Sequence, residues 1–284
     1  MSKVALVTDS TSYIPKDVRE KYPITVVPQV VIWEGQTYED DVTITPEQFY
    51  TRLRTAKVMP STSQASVVNM HKAFSTRLEQ GYDVLGIFVS AKLSGTYQSA
   101  VLGREQLTSG AEKVDFIDSE TTAMAMGFMV LAVAKAAMDG ASLADCKALA
   151  EKARSHVGVY LTVGTLEFLH RGGRIGGAQR FLGTALNLKP ILTVDGGRVE
   201  PVERVRTRGK ALDRVVELVA EKCAGKSPIR LATLHADSEA DAKLMLDKIT
   251  PMLNPVESIF AAVSPAVGAN TGPGTVGLAY MTGM

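Results

Sequence analysis

The chain has 284 residues, a length that fits one large domain or two modest ones. Apolar residues make up 45% of it, which is enough to bury a sizeable core and excludes an intrinsically disordered chain. The 31 lysines and arginines nearly balance the 30 aspartates and glutamates, so the net charge of +1 gives no reason to expect a nucleic acid or an anionic membrane as partner. The 2 cysteines are too few for a disulfide framework.

The first half of the chain alternates short apolar strands with helices. Glu34 and Gly35 predict a hairpin turn, and Thr45 and Ser142 each match a helix N-cap with a capping-box partner three positions on. The elements expected in this half are strands at 4–7, 24–33, 84–89 and 114–117, helices at 15–22, 45–56, 67–80, 97–107, 123–138 and 142–155, and polar loops at 59–64 and 90–96. Strands alternating with helices of this length predict βαβ units around a mainly parallel sheet.

The second half of the chain has a different pattern. A basic, glycine-rich loop is expected at 171–177, and Asp195-Gly196-Gly197 predicts a hairpin turn. The other elements expected are strands at 157–163, 191–194, 198–206, 229–234 and 258–263, and helices at 210–224 and 240–253. This mixture predicts an α+β domain. We therefore expect two domains, an α/β domain at 1–155 and an α+β domain at 156–284.

No apolar segment is long enough for a membrane span. The longest runs from 123 to 134 and is interrupted by Lys135, whereas about 20 residues are needed to cross a bilayer, so we expect a buried helix there. The N-terminal apolar run at 4–7 is too short for the core of a signal peptide and is soon followed by Asp9. The expected location is the cytoplasm.

Known catalytic signatures are missing from the sequence. It has no Walker loop, HExxH, CxxC or GxSxG pattern. The GxGxxG match at 272–277 contains Pro273 and lies close to the end at Met284, so a turn or ligand-facing loop is favoured over a dinucleotide site. The four histidines, expected to be packed or surface residues, are His71, His156, His170 and His235. We expect no catalytic residue, no metal and no cofactor.

Two clusters of hydroxyl side chains stand before predicted helices. One cluster is Ser61-Thr62-Ser63, and the other contains Ser90, Ser94 and Thr96. If both follow parallel strands, they lie at the carboxyl edge of the sheet, where open α/β folds bind ligands. A helix N-terminus favours an anion, but Ser and Thr there also serve simply as N-caps. Both interpretations, capping and anion binding, are compatible with the spacing.

Several motifs along the whole chain resemble those of the DegV family. The two most specific are a run from Leu93 to Ala100 and a TGPG segment that begins at Thr271. The others are Val7-Thr8-Asp9-Ser10-Thr11, Thr62-Ser63-Gln64, Arg171-Gly172-Gly173-Arg174-Ile175 and Lys189-Pro190-Ile191-Leu192. The resemblance implies two domains with a fatty acid buried between them.

The resemblance also implies which residues bind this ligand. The carboxylate would be held by Thr62 and Ser94, with Ser61, Ser63 and Thr96 in the same hydroxyl clusters. Some members of the family serve as the fatty-acid-binding subunit of a bacterial fatty acid kinase. They present the carboxylate to a separate ATP-dependent subunit and carry away the acyl phosphate for phospholipid synthesis, without catalysing the reaction themselves.

The chain departs from the family pattern at two positions. Ala65 replaces a proline that often follows the TSQ triplet, which we expect to change only how the helix begins. Asn270 replaces the histidine that usually precedes the glycines of the TGPG segment. Asn270 and Thr271 are therefore predicted to be neutral partners of the head group.

Arg174 and Arg206 are predicted to belong to a partner-facing surface and not to the acyl pocket. Arg174 lies in the glycine-rich loop, and Arg206 ends a predicted hairpin strand among other arginines. Two other functions compete with the fatty-acid-binding subunit: a small-molecule kinase or transferase that uses the loops at the sheet edge, and a lipid carrier or sensor that acts without a kinase.

Overall fold

The computed structural model describes residues 3–183 and 188–284. Its strands are β1 (Lys3–Asp9), β2 (Ile24–Val27), β3 (Val30–Trp33), β4 (Gln36–Glu39), β5 (Ser61–Ser63), β6 (Tyr82–Phe88), β7 (Val114–Asp118), β8 (Val157–Thr162), β9 (Lys189–Asp195), β10 (Arg198–Val205), β11 (Ile229–His235), β12 (Glu257–Ile259) and β13 (Val276–Thr282). Its α-helices are α1 (Lys16–Arg19), α2 (Pro46–Leu53), α3 (Val67–Glu79), α4 (Thr96–Glu105), α5 (Ala123–Met138), α6 (Leu143–Ala153), α7 (Glu167–Arg171), α8 (Arg208–Cys223), α9 (Glu239–Leu253) and α10 (Pro265–Thr271).

The first sheet is parallel and has the strand order β2-β1-β6-β7. Six of the seven residues of β1 are buried without alternation, as expected for a strand covered on both faces. Helices α3 and α4 cover one face, and α5 and α6 cover the other. The alternating strands and helices of the first half therefore form the predicted parallel α/β arrangement.

The second sheet has the strand order β10-β9-β8-β13-β11-β12. Its pairs are antiparallel except for β11 and β12, which are parallel. Helices α8 and α9 cover its outer face. Its inner face packs on α5, the apolar helix of the first half, which also packs on β1 of the first sheet. The predicted fold class, a parallel α/β unit with a second, mixed sheet, is confirmed.

The domain boundary near residue 155 stays a prediction. The first sheet uses residues 3–118 and the second sheet residues 157–282, which agrees with such a division. Helix α5, however, belongs to one hydrophobic cluster that includes residues of both sheets. The two halves therefore share a core, with α5 as its centre.

A third, small sheet corrects two predictions. Its order is β4-β3-β5, all antiparallel, and β5 was expected to be part of a polar loop. The segment 24–33 was expected to be one extended element, but it is divided at Pro28 and Gln29 between the first sheet and the small sheet. Polar composition suggested a loop at 61–63, and the backbone hydrogen bonds offered by β3 made it a strand instead.

Neither α10 nor β13 was predicted from the sequence. All seven residues of β13 are buried, and it pairs with β8 on one side and β11 on the other. Its glycine-rich approach, with Gly272 at φ +76° and Gly274 at φ +82°, suggested only a turn. The predicted turn is present. The strand β13 follows it, whereas a dinucleotide site needs a helix at that point, so the dinucleotide interpretation of the GxGxxG match is excluded.

Local predictions agree closely with the structure. Thr45 and Ser142 are N-caps with complete capping boxes, completed by Gln48 and Asp145. The Glu34–Gly35 turn joins β3 to β4, and the Asp195-Gly196-Gly197 turn joins β9 to β10. Among residues 3–183 and 188–284, no helix has both the length and the apolar character that crossing a membrane requires.

Candidate functional site

An elongated cavity lies between the two larger sheets, and we call it the main cavity. It runs across the inner face of the second sheet, from Val199 on β10, past Val194 on β9 and Leu161 on β8, to Leu234 on β11. Strands β10 and β11 are four positions apart in the sheet, a span of about 19 Å at roughly 4.8 Å per strand. The cavity therefore suits a long, narrow ligand better than a compact one.

The walls of the main cavity are mostly aliphatic. Strand and loop residues from both halves contribute, such as Val89 and Leu93 from the first half and Val159, Leu169 and Val263 from the second. The cavity leaves about 110 Å³ for the centres of water-sized molecules. About 10–15 Å³ is enough for one buried water, so the space exceeds that of a packing defect.

Polar side chains converge at one end of the main cavity, which we call the polar end. Five of the residues that line it there are Thr62, Ser63, Gln64, Ser94 and Asn270. The Asn270 Nδ2 donates to Thr62 Oγ1 at 3.2 Å and to the carbonyl oxygen of Ala266 at 3.0 Å. Helix α10, which the sequence analysis missed, thus brings Asn270 against the small sheet.

Ser94 lies at the cavity surface with Thr96 behind it. The two hydroxyl oxygens are 2.9 Å apart. Thr96 Oγ1 also accepts from Gln29 Nε2 at 2.8 Å and from the backbone nitrogen of Ala65 at 3.4 Å. Thr96 is fully buried and does not line the cavity, so it supports Ser94 rather than facing the space itself.

The two hydroxyl clusters are placed differently from the sequence-based expectation. Ser90 and Ser94 follow β6 of the parallel sheet, as predicted. Ser61-Thr62-Ser63 forms β5 of the small sheet, and the N-cap of α3 is Ser66, whose hydroxyl accepts from the backbone nitrogen of Asn69 at 3.0 Å. The capping interpretation is therefore wrong for Ser61-Thr62-Ser63, which leaves these hydroxyls available for other contacts.

The remaining predicted ligand-binding residues are Ser61 and Thr271. Ser61 is exposed and lines an outer hollow instead of the main cavity. We call it the mouth hollow, because it shares Thr62, Arg174 and Asn270 with the main cavity and continues to exposed Arg171. Thr271 lines the main cavity, and its hydroxyl donates to the carbonyl of Val267 at 3.1 Å. The polar end thus opens towards the surface.

Arg174 lies at the polar end, contrary to the expectation that it is outside the pocket. It lines both the main cavity and the mouth hollow. Its Nε donates to the carbonyl of Leu93 at 3.1 Å, and its guanidinium also donates to the carbonyl of Gly172. Arg206 is exposed just after β10 and does not line the main cavity. A partner-binding role for either arginine stays a prediction.

Besides Arg174, two residues of the polar end were not predicted as ligand contacts. Gln29, in the break between β2 and β3, is 4% exposed and lines the main cavity. Gln64 follows β5 and packs so closely on Gly95 that a β-carbon there would lie 3.1 Å from Gln64 Cδ. Gln64 could have been found, since it belongs to the TSQ triplet. Nothing local marks Gln29, whose role depends on the division of 24–33 between two sheets.

A second buried polar cluster lies at the beginning of α10. Asp40 is 1% exposed, and its carboxylate accepts from Ser10 Oγ at 2.6 Å and from the backbone nitrogen of Ala266 at 3.0 Å. Loss of hydration on burial raises the pKa of Asp40 to about 6, although these hydrogen bonds oppose the shift. Asp40 does not line the main cavity, so its carboxylate joins three chain segments instead of facing a ligand.

The histidines and the GxGxxG turn lie outside the polar end of the main cavity. None of the four histidines lines the main cavity. Burial lowers the pKa of His235, whose ring centroid lies 5.3 Å from that of Phe260. Thr275, in the turn before β13, lines the cavity, but its hydroxyl donates to the carbonyls of Thr271 and Gly272. These groups serve the fold around the cavity.

The chain is similar to known proteins along nearly its whole length. The family model described as "Uncharacterised protein, DegV family" matches residues 3–283. A DegV domain-containing protein of Clostridium perfringens is 35% identical over 279 residues, which cover 98% of each chain. Protein DegV of Bacillus subtilis is 33% identical over 280 residues, again 98% of each chain. The similarity therefore extends over both halves of the chain.

Solved structures show the same architecture. A DegV family protein from Thermus thermophilus, described as fatty acid binding, is 36% identical with a TM-score of 0.92, and the match covers 99% of each chain. DegV from Bacillus subtilis, described as a fatty acid binding protein, is 32% identical with a TM-score of 0.90 over 99% of this chain and 100% of that one. The agreement includes the second sheet and the missed strand β13, which lies within the matched length.

Proposed function

Because the chain belongs to the DegV family, we propose that it binds a long-chain fatty acid in the main cavity, with the carboxylate at the polar end. The observation that carries this proposal is the shape of the site: an aliphatic cavity across four strand spacings that ends in hydroxyl and amide groups. Similar proteins of Thermus thermophilus and Bacillus subtilis are described as fatty acid binding.

Burial of the acyl chain provides the main driving force. About fifteen methylenes at roughly 0.8 kcal/mol each contribute about 12 kcal/mol before the losses of ligand freedom are subtracted. Such a gain requires apolar contact along most of the chain, and Val199, Leu161 and Leu234 line successive parts of the cavity. A compact polar substrate would leave these walls uncovered.

The hydrogen bonds at the polar end direct two hydroxyl protons to a ligand. Thr62 Oγ1 already accepts from Asn270, so its own proton is free to donate. Thr96 Oγ1 accepts from Gln29 and Ala65, which directs its proton to Ser94 Oγ. The Ser94 proton then has only Gln29 Oε1, at 3.5 Å, as an acceptor among the described residues. Thr62 and Ser94 are thus suited to donate to a carboxylate.

The other predicted head-group residues support these two. Ser63 and Thr271 line the cavity beside them, and Asn270 holds Thr62. Thr96 acts from behind Ser94, and Ser61 lies in the mouth hollow. The proposed site therefore has neutral donors around the carboxylate, with Arg174 as the nearest positive charge on its lining.

We further propose that the protein presents the carboxylate to a separate ATP-dependent fatty acid kinase subunit, which forms the acyl phosphate for phospholipid synthesis. In this scheme the chain itself is not catalytic and works in the cytoplasm. The mouth hollow supports presentation, because it connects the polar end with exposed Arg171. Arg174 beside the head group and exposed Arg206 are proposed to contact the kinase.

Native mass spectrometry of the purified protein tests fatty-acid binding. We expect a bound species with the mass of a fatty acid and, after delipidation, stoichiometric reloading with palmitic acid. A bound nucleotide would favour the competing kinase or transferase function. Failure of the folded, delipidated protein to take up any fatty acid would overturn the proposal.

A phosphorylation assay with an added fatty acid kinase subunit tests presentation. We expect Arg206→Ala to reduce acyl phosphate formation while lipid affinity stays unchanged, with Lys222→Ala, an exposed charge on α8, as control. Arg174→Ala should also reduce acyl phosphate formation, and its lipid affinity is measured separately because Arg174 lines the polar end. If lipid affinity falls with Arg174→Ala, this arginine is a head-group ligand. If no variant changes turnover, the protein is better described as a carrier or sensor that acts without a kinase.

A further inference from the structure

Tyr13 lines both the main cavity and a second hollow. This second hollow leaves about 610 Å³ for the centres of water-sized molecules and is lined by residues such as Pro15, Tyr22 and Phe260. Among the described residues, Tyr13 is the one that lines both spaces. Removing its side chain would therefore take away part of the wall of each space.

Tyr13 lies at the end of the main cavity opposite the polar end. Tyr13 lines the second hollow together with Asp40 and with Ser264, the N-cap residue of α10. Asn270 lies at the other end of this helix. An acyl chain with its carboxylate near Asn270 would thus run along α10 towards Tyr13.

The turn that carries Tyr13 is held firmly in place. Asp9 accepts from the backbone nitrogen of Thr11 at 3.0 Å and from its hydroxyl at 2.7 Å. Helix α5 approaches so closely that a β-carbon at Gly127 would lie 2.5 Å from the carbonyl oxygen of Ser12. Tyr13 itself adopts a left-handed conformation with φ +55°, which is uncommon for a residue with a side chain. A position fixed in this way can act as a wall.

We propose that Tyr13 is a specificity-determining residue that ends the acyl part of the main cavity and thereby limits the length of the fatty acid. The inference rests on the proposed fatty-acid binding. The ring provides the barrier, while the buried Tyr13 hydroxyl lies beside Ser264 at the beginning of α10. Acids longer than the cavity must bend or leave methylenes unburied while the ring is present.

Competition between saturated acids tests the proposal. Delipidated wild type, Tyr13→Phe and Tyr13→Ala are each incubated with an equimolar mixture of myristic, palmitic, stearic and arachidic acids, and bound species are measured by native mass spectrometry. We expect Tyr13→Phe to match the wild type, because it keeps the ring. Tyr13→Ala should shift the preference towards longer acids, by about fourfold for each methylene that gains burial.

A second variant allows for the backbone conformation. Tyr13→Asn also removes the ring, and asparagine tolerates positive φ better than alanine does. Suppose that the wild type binds fatty acids and that at least one of the two variants is folded. If that variant has the same chain-length preference as the wild type, the proposed role of Tyr13 is wrong, while fatty-acid binding still holds. Absence of any bound acid in the wild type would overturn the proposed function and, with it, this inference.

Discussion

Helix α10 has a polar cluster at each end, and the two clusters differ in what their side chains can still bind. At its C-terminal end, the Thr62 hydroxyl proton has no acceptor among the described residues, that of Ser94 has only Gln29 Oε1 at 3.5 Å, and both residues face the main cavity. At its N-terminal end, Asp40 is 1% exposed and its two carboxylate oxygens accept from Ser10 and from the backbone of Ala266. Both clusters join distant segments, but only the first offers donors to a ligand.

The difference shows why a cluster of hydroxyl residues does not by itself identify a binding site. Ser10 donates to a protein carboxylate, whereas Ser94 has no such partner within the described residues and is proposed to donate to a ligand carboxylate. A buried polar group needs a hydrogen-bond partner in either case. Which of the two partners is present depends on the tertiary structure.

The largest expected effect comes from removing both proposed head-group donors. Each lost hydrogen bond to a charged group costs about 1.5–3 kcal/mol, so Thr62→Ala with Ser94→Ala should weaken fatty-acid binding by about 3–6 kcal/mol. Thermal unfolding should stay cooperative, because neither side chain belongs to the hydrophobic core. Isothermal titration of the delipidated protein measures the change, with Ser155→Ala, an exposed serine outside the cavity, as control. Unchanged affinity in the double variant would show that the ligand-binding end is elsewhere.

The cluster around Asp40 should affect the pH dependence of stability and not the affinity for the ligand. Because the folded-state pKa of Asp40 is raised from 3.8 to about 6, the folded protein binds a proton more readily than the unfolded chain. The free energy of unfolding should therefore fall as pH rises from about 4 to about 6, by about 2–3 kcal/mol from this carboxyl group. Urea unfolding across this range measures the fall, and Asp40→Asn should flatten it.

Part of the pH dependence should survive in Asp40→Asn. Asp9 is also buried, and burial raises its pKa, so it contributes a slope of the same sign. An identical pH profile in wild type and Asp40→Asn would show that the Asp40 carboxyl is not the group that titrates. Fatty-acid affinity at pH 7 should change little, since Asp40 does not line the main cavity.

A smaller change in fatty-acid affinity is expected when Asn270 is displaced by a substitution at a neighbouring residue. A β-carbon at Gly172 would contact Asn270 Oδ1 directly, so Gly172→Ala should displace the amide and break its bond to Thr62. One hydrogen bond of this kind contributes about 0.5–1.5 kcal/mol, and we expect a loss of affinity of that size. The control is Gly209→Ala, where a β-carbon would meet nothing within 4 Å. If Gly172→Ala and Gly209→Ala bind the fatty acid with equal affinity, Asn270 does not contribute to head-group binding.

The smallest expected effect concerns the pH dependence of binding. An asparagine amide does not titrate, whereas a histidine changes charge between pH 5 and 8. We predict a flat affinity from pH 6 to 8 for the natural Asn270, and for Asn270→His tighter binding at pH 6 by on the order of 1 kcal/mol or less. Titration calorimetry at three pH values distinguishes the profiles. Parallel profiles would indicate that Asn270 only ends α10 and does not sense the carboxylate.

Several features of the fold were predicted from local sequence. The capping boxes at Thr45 and Ser142 and the turn at Glu34–Gly35 depend on contacts between residues a few positions apart. The apolar helix at 123–138 was predicted with its observed ends, because its composition alone requires burial. Thr62 and Ser94 were proposed from motif resemblance, and the structure places both on one cavity.

Other features depend on the rest of the chain. Ser61–Ser63 is a strand because β3 offers it hydrogen bonds, and its own residues do not favour one. Strand β13 is central in the second sheet because it pairs with β8 on one side and with β11 on the other. Arg174 was expected at the surface, but the carbonyls of Leu93 and Gly172 hold it at the cavity.

The sequence by itself thus determined the longer helices, the tight turns and the types of residue that a carboxylate would need. Those properties follow from hydrogen bonds and side-chain packing within a few residues. Only the tertiary structure decided which polar residues meet, as in the bond between Asn270 and Thr62, which are 208 positions apart. Contacts at that separation depend on how the two sheets pack around α5, and packing of this kind is fixed by the whole core and not by any local pattern.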